Sequence, residues 1–174
     1  MVSKAVLLVA VLASAVVGVP AAASAESVCD TAWGSAAKVA APGATGEMTD
    51  LRAGRHDCYD RVVFDFRGTS EGFQVDYVSD VHEDGSGRLV PLRGGAKLRI
   101  VAHSPAYDES FNPTYTYANR DELVDVAGYR TFRQVAWAGS FEGQTMVGLG
   151  VRARLPFRAF TLTDKLVVDV AHTW

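Results

Sequence analysis

Cysteine and net charge are both scarce in this sequence. The 174 residues include 2 cysteines, and the formal net charge is −3 with a sequence isoelectric point near 5.8. So small an acidic charge gives no basic surface for nucleic acid or for an anionic membrane. Charged residues still make up 21% of the chain and aromatic residues 10%, which excludes a disordered, low-complexity protein. The length fits one domain of ordinary size or two very small ones.

The chain has one long hydrophobic run, and this run lies at its start. Lys4 precedes an uncharged stretch from Ala5 to Val19, and Pro20 ends it. Residues 23–25 then supply the small-x-small pattern that a signal peptidase requires. A transmembrane helix needs a longer run, of about 20 apolar residues. Residues 1–25 are therefore predicted to be a secretory signal peptide, so that the mature protein is secreted and has no transmembrane segment.

The two cysteines, Cys29 and Cys58, both follow the predicted cleavage site. An even number of cysteines in an exported chain predicts a disulfide bond. Two free thiols or a metal pair are the alternatives. His56, Cys58 and Asp60 alternate and could face one metal ion, but a disulfide at Cys58 leaves too few ligands. The sequence therefore predicts no metal site and no cofactor.

Beyond Gly46, apolar and polar residues alternate with the period of two that is typical of half-buried strands. The predicted strands are Arg61–Arg67, Phe73–Tyr77, Lys97–His103, Phe132–Ala138, Thr145–Val151, Arg158–Thr163 and Leu166–Ala171. About seven or eight short, mostly antiparallel strands separated by turn residues predict an all-β fold, either a β-sandwich or a small barrel.

The β domain is expected at residues 48–174, after an N-terminal tether and linker at residues 26–47. Within the tether, Asp30 and Thr31 are expected to cap a single helical turn that holds Trp33.

The segment 104–122 interrupts the alternation. It contains two prolines and four aromatic residues, namely Tyr107, Phe111, Tyr115 and Tyr117. Such long connections are uncommon in compact domains and are often functional. The alternative is a flap that covers an open sheet edge with its aromatic residues buried. The sequence leaves both interpretations open.

Catalytic motifs are absent from the sequence. It has no Gly-x-Ser-x-Gly, no His-Glu-x-x-His and no Gly-rich phosphate loop before a helix. Asp169 lies among valines in the last predicted strand, and a buried carboxylate needs a partner. Arg61, His56 or His172 could be that partner, and with Asp60 they are expected to form a structural polar network between the first and last strands. A catalytic Asp–His pair is the alternative, but no nucleophile accompanies it.

Several runs of residues occur together and in order along the chain. They are Thr49–Asp57, Tyr59–Phe66, Phe141–Val151, Leu155–Phe160 and Leu166–His172. These runs resemble the AMIN-like domain of secreted actinobacterial proteins, over about residues 48–172. The resemblance implies a β-sandwich that targets proteins to the cell envelope, with peptidoglycan as the suspected ligand, and it brings no catalytic residues.

The expected function is that of a secreted, non-catalytic module that binds peptidoglycan or another glycan of the cell wall. Aromatic rings stack on sugars, and charged groups bond to their substituents. The candidate ligand-binding residues are Tyr115, Tyr117, Arg133, Trp137 and Glu142, each of which could instead serve packing. One alternative is a protein-interaction module that pairs an exposed strand with an envelope protein. The other is an uncharacterised cell-wall hydrolase.

Overall fold

The computed structural model of the protein describes residues 29–174, which form eleven strands. The predicted signal peptide, residues 1–25, lies outside the described residues. The strands are β1 (Lys38–Ala40), β2 (Glu47–Arg55), β3 (Tyr59–Arg67), β4 (Phe73–Val78), β5 (Val81–His82), β6 (Leu89–Val90), β7 (Ala96–Ala102), β8 (Phe132–Phe141), β9 (Gln144–Val151), β10 (Phe157–Leu162) and β11 (Lys165–Ala171). The all-β prediction is confirmed. Residues 29–174 contain no helix of the length and apolarity that crossing a membrane requires.

Two open sheets form a sandwich rather than a closed barrel. One sheet has five strands in the order β1-β4-β7-β9-β8, and the other has four in the order β10-β11-β3-β2. Alternate residues of both sheets enter one buried cluster, which includes Phe64 of β3, Ile100 of β7 and Val168 of β11. Burying one face of each sheet in this way is what the period of two predicts. A short hairpin of β5 and β6 covers part of the outer face of the five-stranded sheet, where Val81 and Ala136 share a small separate cluster.

All seven predicted strands occur, with shifted ends. The largest difference is in β8, which continues three residues beyond the predicted end at Ala138, to Phe141. The strand β2 was not predicted. Its register shifts between Met48 and Asp50, so its buried residues do not follow a regular alternation. A β-bulge of this kind interrupts the alternation of buried and exposed residues, so a prediction based on a period of two does not detect the strand.

The N-terminal segment is part of the fold, and the prediction of a helical turn around Trp33 is wrong. Cys29 and Cys58 form a disulfide bond, and the Trp33 ring packs edge-on against Tyr59 with centroids 5.7 Å apart. The segment then extends into β1, which pairs with the edge of β4. Held at both ends, the segment passes through a turn and a bend and does not form a helix.

Candidate functional site

The segment 104–122 closes one side of the sandwich between the edge strands β2 and β8. The Met48 N–H donates to the Pro105 carbonyl at 2.7 Å, and the Thr114 hydroxyl donates to the Met48 carbonyl at 2.7 Å. On the other side, the Trp137 N–H donates to the Arg120 carbonyl at 2.7 Å. The segment therefore covers sheet edges, which was one of its two interpretations.

The same segment also builds an open groove of about 690 Å³. Loop residues 106–117 form one part of its lining, and Trp137 and residues 140–142 at the end of the β8–β9 hairpin form the other. We call this feature the aromatic groove, after six of its lining residues: Tyr107, Phe111, Tyr115, Tyr117, Trp137 and Phe141.

Three rings form the continuous apolar part of the aromatic groove. The Trp137 centroid lies 5.3 Å from that of Tyr117 and 5.7 Å from that of Tyr115. Phe111, which is 80% exposed, stacks on Tyr107 with centroids 5.6 Å apart. Phe141 is 51% exposed. Monomeric proteins rarely leave aromatic rings clustered and accessible unless they bind a partner or ligand.

The walls of the aromatic groove are fixed to each other by hydrogen bonds. The Gly143 N–H donates to the Tyr107 hydroxyl oxygen at 2.9 Å, and the Ala106 N–H donates to the Ser140 hydroxyl oxygen at 2.9 Å. The Thr145 hydroxyl donates to the Ser104 carbonyl at 2.8 Å. These bonds join the loop to the β8–β9 hairpin, so a ligand meets a surface that is already organised.

The rim of the groove holds both non-glycine residues of the described chain that have positive φ angles, Phe111 at 62° and Glu142 at 47°. Glu142 and Gly143, at 77°, form the two-residue turn between β8 and β9. Positive φ at both positions matches the twist of antiparallel strands, but for an L-residue such as Glu142 it costs about 1 kcal/mol. Strained backbone of this kind concentrates at ligand sites and switch regions.

Tyr115 is the most buried ring of the groove. Its burial, followed by the nearby charge of Asp50, raises the pKa of its hydroxyl to about 12. The Tyr115 hydroxyl therefore stays neutral and can donate a hydrogen bond throughout the physiological pH range.

Four of the five predicted ligand-binding residues, Tyr115, Tyr117, Trp137 and Glu142, line the aromatic groove. The fifth does not. Arg133 lies in a separate depression and donates to the carbonyls of Tyr129 and Phe132 at 3.1 and 2.8 Å.

Phe141 was missed by the sequence analysis because the predicted strand ended at Ala138. The adjacent Glu142-Gly143 pair was the available signal for a hairpin turn at this point.

The residues of the predicted polar network fall into two groups. In the first, Arg61 lies opposite Asp169 on neighbouring strands and donates to both carboxylate oxygens, at 2.6 and 2.9 Å. Arg158 of β10 adds a third hydrogen bond at 2.8 Å. Neither His56 nor His172 bonds to the Asp169 carboxylate. Of the three predicted partners, Arg61 is therefore the one that binds it. The second partner, Arg158, was not predicted.

The second group surrounds Asp60, which is fully buried. One of its carboxylate oxygens accepts the backbone N–H groups of Thr131 and Phe132, at 2.6 and 3.0 Å. The other lies 3.9 Å from Nε2 of His172, and that nitrogen is 3.0 Å from the His56 carbonyl. Since the Asp60 and His172 side chains are both buried, neither is presented to a substrate. No cluster of His, Cys, Asp and Glu residues in the described range could hold a metal ion.

The model of a family described as the AMIN-like domain matches residues 46–172. No curated protein matches the chain, and no solved structure matches it either.

Proposed function

Because this chain belongs to the AMIN-like domain family, we propose that it is a secreted, non-catalytic module that holds a cell-envelope glycan in its aromatic groove, with peptidoglycan as the first candidate. Family membership indicates an envelope-targeting module. The observation that carries the finer proposal is the groove itself, in which accessible aromatic rings stand beside few polar groups. Pyranose rings stack their apolar faces on such surfaces.

Export is supported by two features. Residues 1–25 have the pattern of a signal peptide, and the Cys29–Cys58 disulfide suits an oxidising compartment. Both features support a location of the groove outside the cytoplasm, where cell-wall glycans are accessible.

The polar groups of the groove fit a binding function better than they fit the catalytic function of a hydrolase. The Ser140 hydroxyl accepts a hydrogen bond from the Ala106 N–H and donates one to the Gln144 carbonyl. The Asp60–His172 pair is buried elsewhere. The described residues of the groove thus offer no nucleophile with an adjacent base.

Strand pairing with an envelope protein has less support than groove binding. Two of the four edge strands of the two sheets are protected: the Trp137 N–H of β8 bonds to the Arg120 carbonyl in the segment 104–122, and β2 carries a β-bulge near its start. Bulges and covered edges are devices that oppose strand addition.

The direct test is co-sedimentation with purified peptidoglycan. We expect the protein to pellet and Tyr117→Ala to weaken binding about 3- to 10-fold, since an aromatic contact contributes about 0.5–1.5 kcal/mol. Tyr117 is 40% exposed, so its truncation removes little core packing. The matched control is Trp174→Ala, an aromatic residue that is 74% exposed and lies outside the groove. A wild-type protein that stays in the supernatant, or equal losses in both variants, would contradict the proposal.

A further inference from the structure

The charged groups that line the aromatic groove are of one sign, which is negative. No arginine, lysine or histidine is among the described residues that line it, and its single charged lining residue is Glu142. Of the basic residues in neighbouring segments, Arg67 pairs with Glu47, and Arg120 shares the Glu83 carboxylate with Arg88. Among the described lining residues the one formal charge is therefore the Glu142 carboxylate, and Asp50 adds a second negative charge near Tyr115.

The Glu142 carboxylate is available to a ligand. The side chain is exposed at the turn between β8 and β9, and it forms no ion pair with any residue in the described range. A carboxylate only accepts hydrogen bonds, so a ligand beside it must bring donors. An ammonium group satisfies the carboxylate and is also attracted to the faces of aromatic rings such as Tyr117.

The opposite charge is disfavoured at this place. A phosphate or sulfate group in the groove would lie near the Glu142 carboxylate, with no cation among the described lining residues to bind it. Envelope polymers rich in phosphate are thus poor occupants, whereas neutral and amine-bearing glycans are compatible with the lining.

We propose that the aromatic groove selects glycans that carry an ammonium group beside a pyranose ring, and that the Glu142 carboxylate binds this group. The inference rests on the proposed function and adds the chemical class of the ligand. Two sources supply the same chemistry: a glucosamine unit that lacks its N-acetyl group, and the free amine of a peptide attached to the glycan.

Calorimetric titration with paired probes tests the proposal. The first pair is a glucosamine oligomer and an N-acetylglucosamine oligomer of equal length, at low salt and mildly acidic pH. The second pair is a muropeptide with a free peptide amine and the same muropeptide after acetylation of that amine. We expect about fivefold tighter binding of the amine-bearing member in at least one pair. The pair that shows the preference identifies the source of the amine.

Two variants make the test specific. Glu142→Gln is expected to abolish the preference, so that the two members of each pair bind it with equal affinity. Glu109→Gln, in the same loop but outside the groove lining, is expected to keep it. Equal binding within both pairs, or a preference that persists in Glu142→Gln, overturns this inference and leaves the proposed function standing. Binding of no probe, together with no retention on peptidoglycan, overturns the proposed function as well.

Discussion

Asp169 shows how a charge can be kept inside a sheet face. Its carboxylate has no exposed surface, and it is balanced by Arg61 and Arg158, whose side chains are 26% and 39% exposed. The Arg158 guanidinium also lies 4.4 Å from the centre of the Trp33 ring, so the N-terminal segment covers the ion pair. A buried carboxylate with three charge-assisted hydrogen bonds is costly to alter on one side only.

Replacing Asp169 by Asn is expected to destabilise the fold by about 2–4 kcal/mol, because two arginines then lose their counter-charge. The measurement is the free energy of unfolding in urea. The control is Asp164→Asn, whose side chain is 52% exposed and pairs with Lys165, and which should change the free energy of unfolding far less, because exposed ion pairs contribute little. Similar losses in the two variants would show that the Asp169 network contributes no more than a surface pair.

The sequence could predict part of this network and part of the site. The position of Asp169 among valines predicts that its carboxylate has a charged partner. That Arg158 is one of the partners depends on the register of β10 and β11, in which Arg158 lies opposite Asp169. The turn between two strands sets their register, and the predicted strand ends at Thr163 and Leu166 displace the pairing of β10 with β11 by two residues. Likewise, Tyr115 and Tyr117 were visible as loop aromatics and Trp137 as a strand residue. Their meeting depends on the path of the loop, which follows no period.

At the scale of elements, the β5–β6 hairpin is tied to the loop beside the groove through Glu83. Its carboxylate accepts hydrogen bonds from Arg88 at 2.6 Å and from Ser86 at 2.7 Å, and it also pairs with Arg120. The bonds from Arg88 and Ser86, helped by the charge of Arg120, lower the pKa of Glu83 to about 2 from its ordinary value of 4.5.

This lowered pKa has a consequence for acid stability. The folded state binds the Glu83 proton more weakly than the unfolded state, so ionised Glu83 stabilises the fold above pH 4.5, and this contribution disappears as the pH falls towards 2. The free energy of unfolding of the wild type should therefore fall more steeply across this window than that of Glu83→Gln. Ser86→Ala, which removes one of the hydrogen bonds, should give an intermediate slope. Parallel curves for all three proteins would refute the assignment.

At the scale of the whole molecule, the N-terminal segment and the aromatic groove lie at opposite sides of the sandwich. β1 and β8 are the two edges of the five-stranded sheet. The disulfide joins the first described residue to Cys58, directly before the start of β3, while the segment 104–122 closes the far side between β2 and β8. One attachment therefore supports stability and the other shapes the groove, and the two should be separable.

The double variant Cys29→Ser/Cys58→Ser tests this separation. Opening a cross-link with a sequence separation of 29 residues should cost about 3–4 kcal/mol and lower the melting temperature by about 10 °C. A reducing agent should lower the melting temperature of the wild type similarly and leave that of the double variant unchanged. Well below its melting temperature, the double variant should still bind glycan like the wild type, because the hydrogen bonds that fix the groove walls join the loop to the β8–β9 hairpin and do not involve the N-terminal segment. Loss of glycan binding in a folded double variant would show that the two sides of the sandwich are coupled.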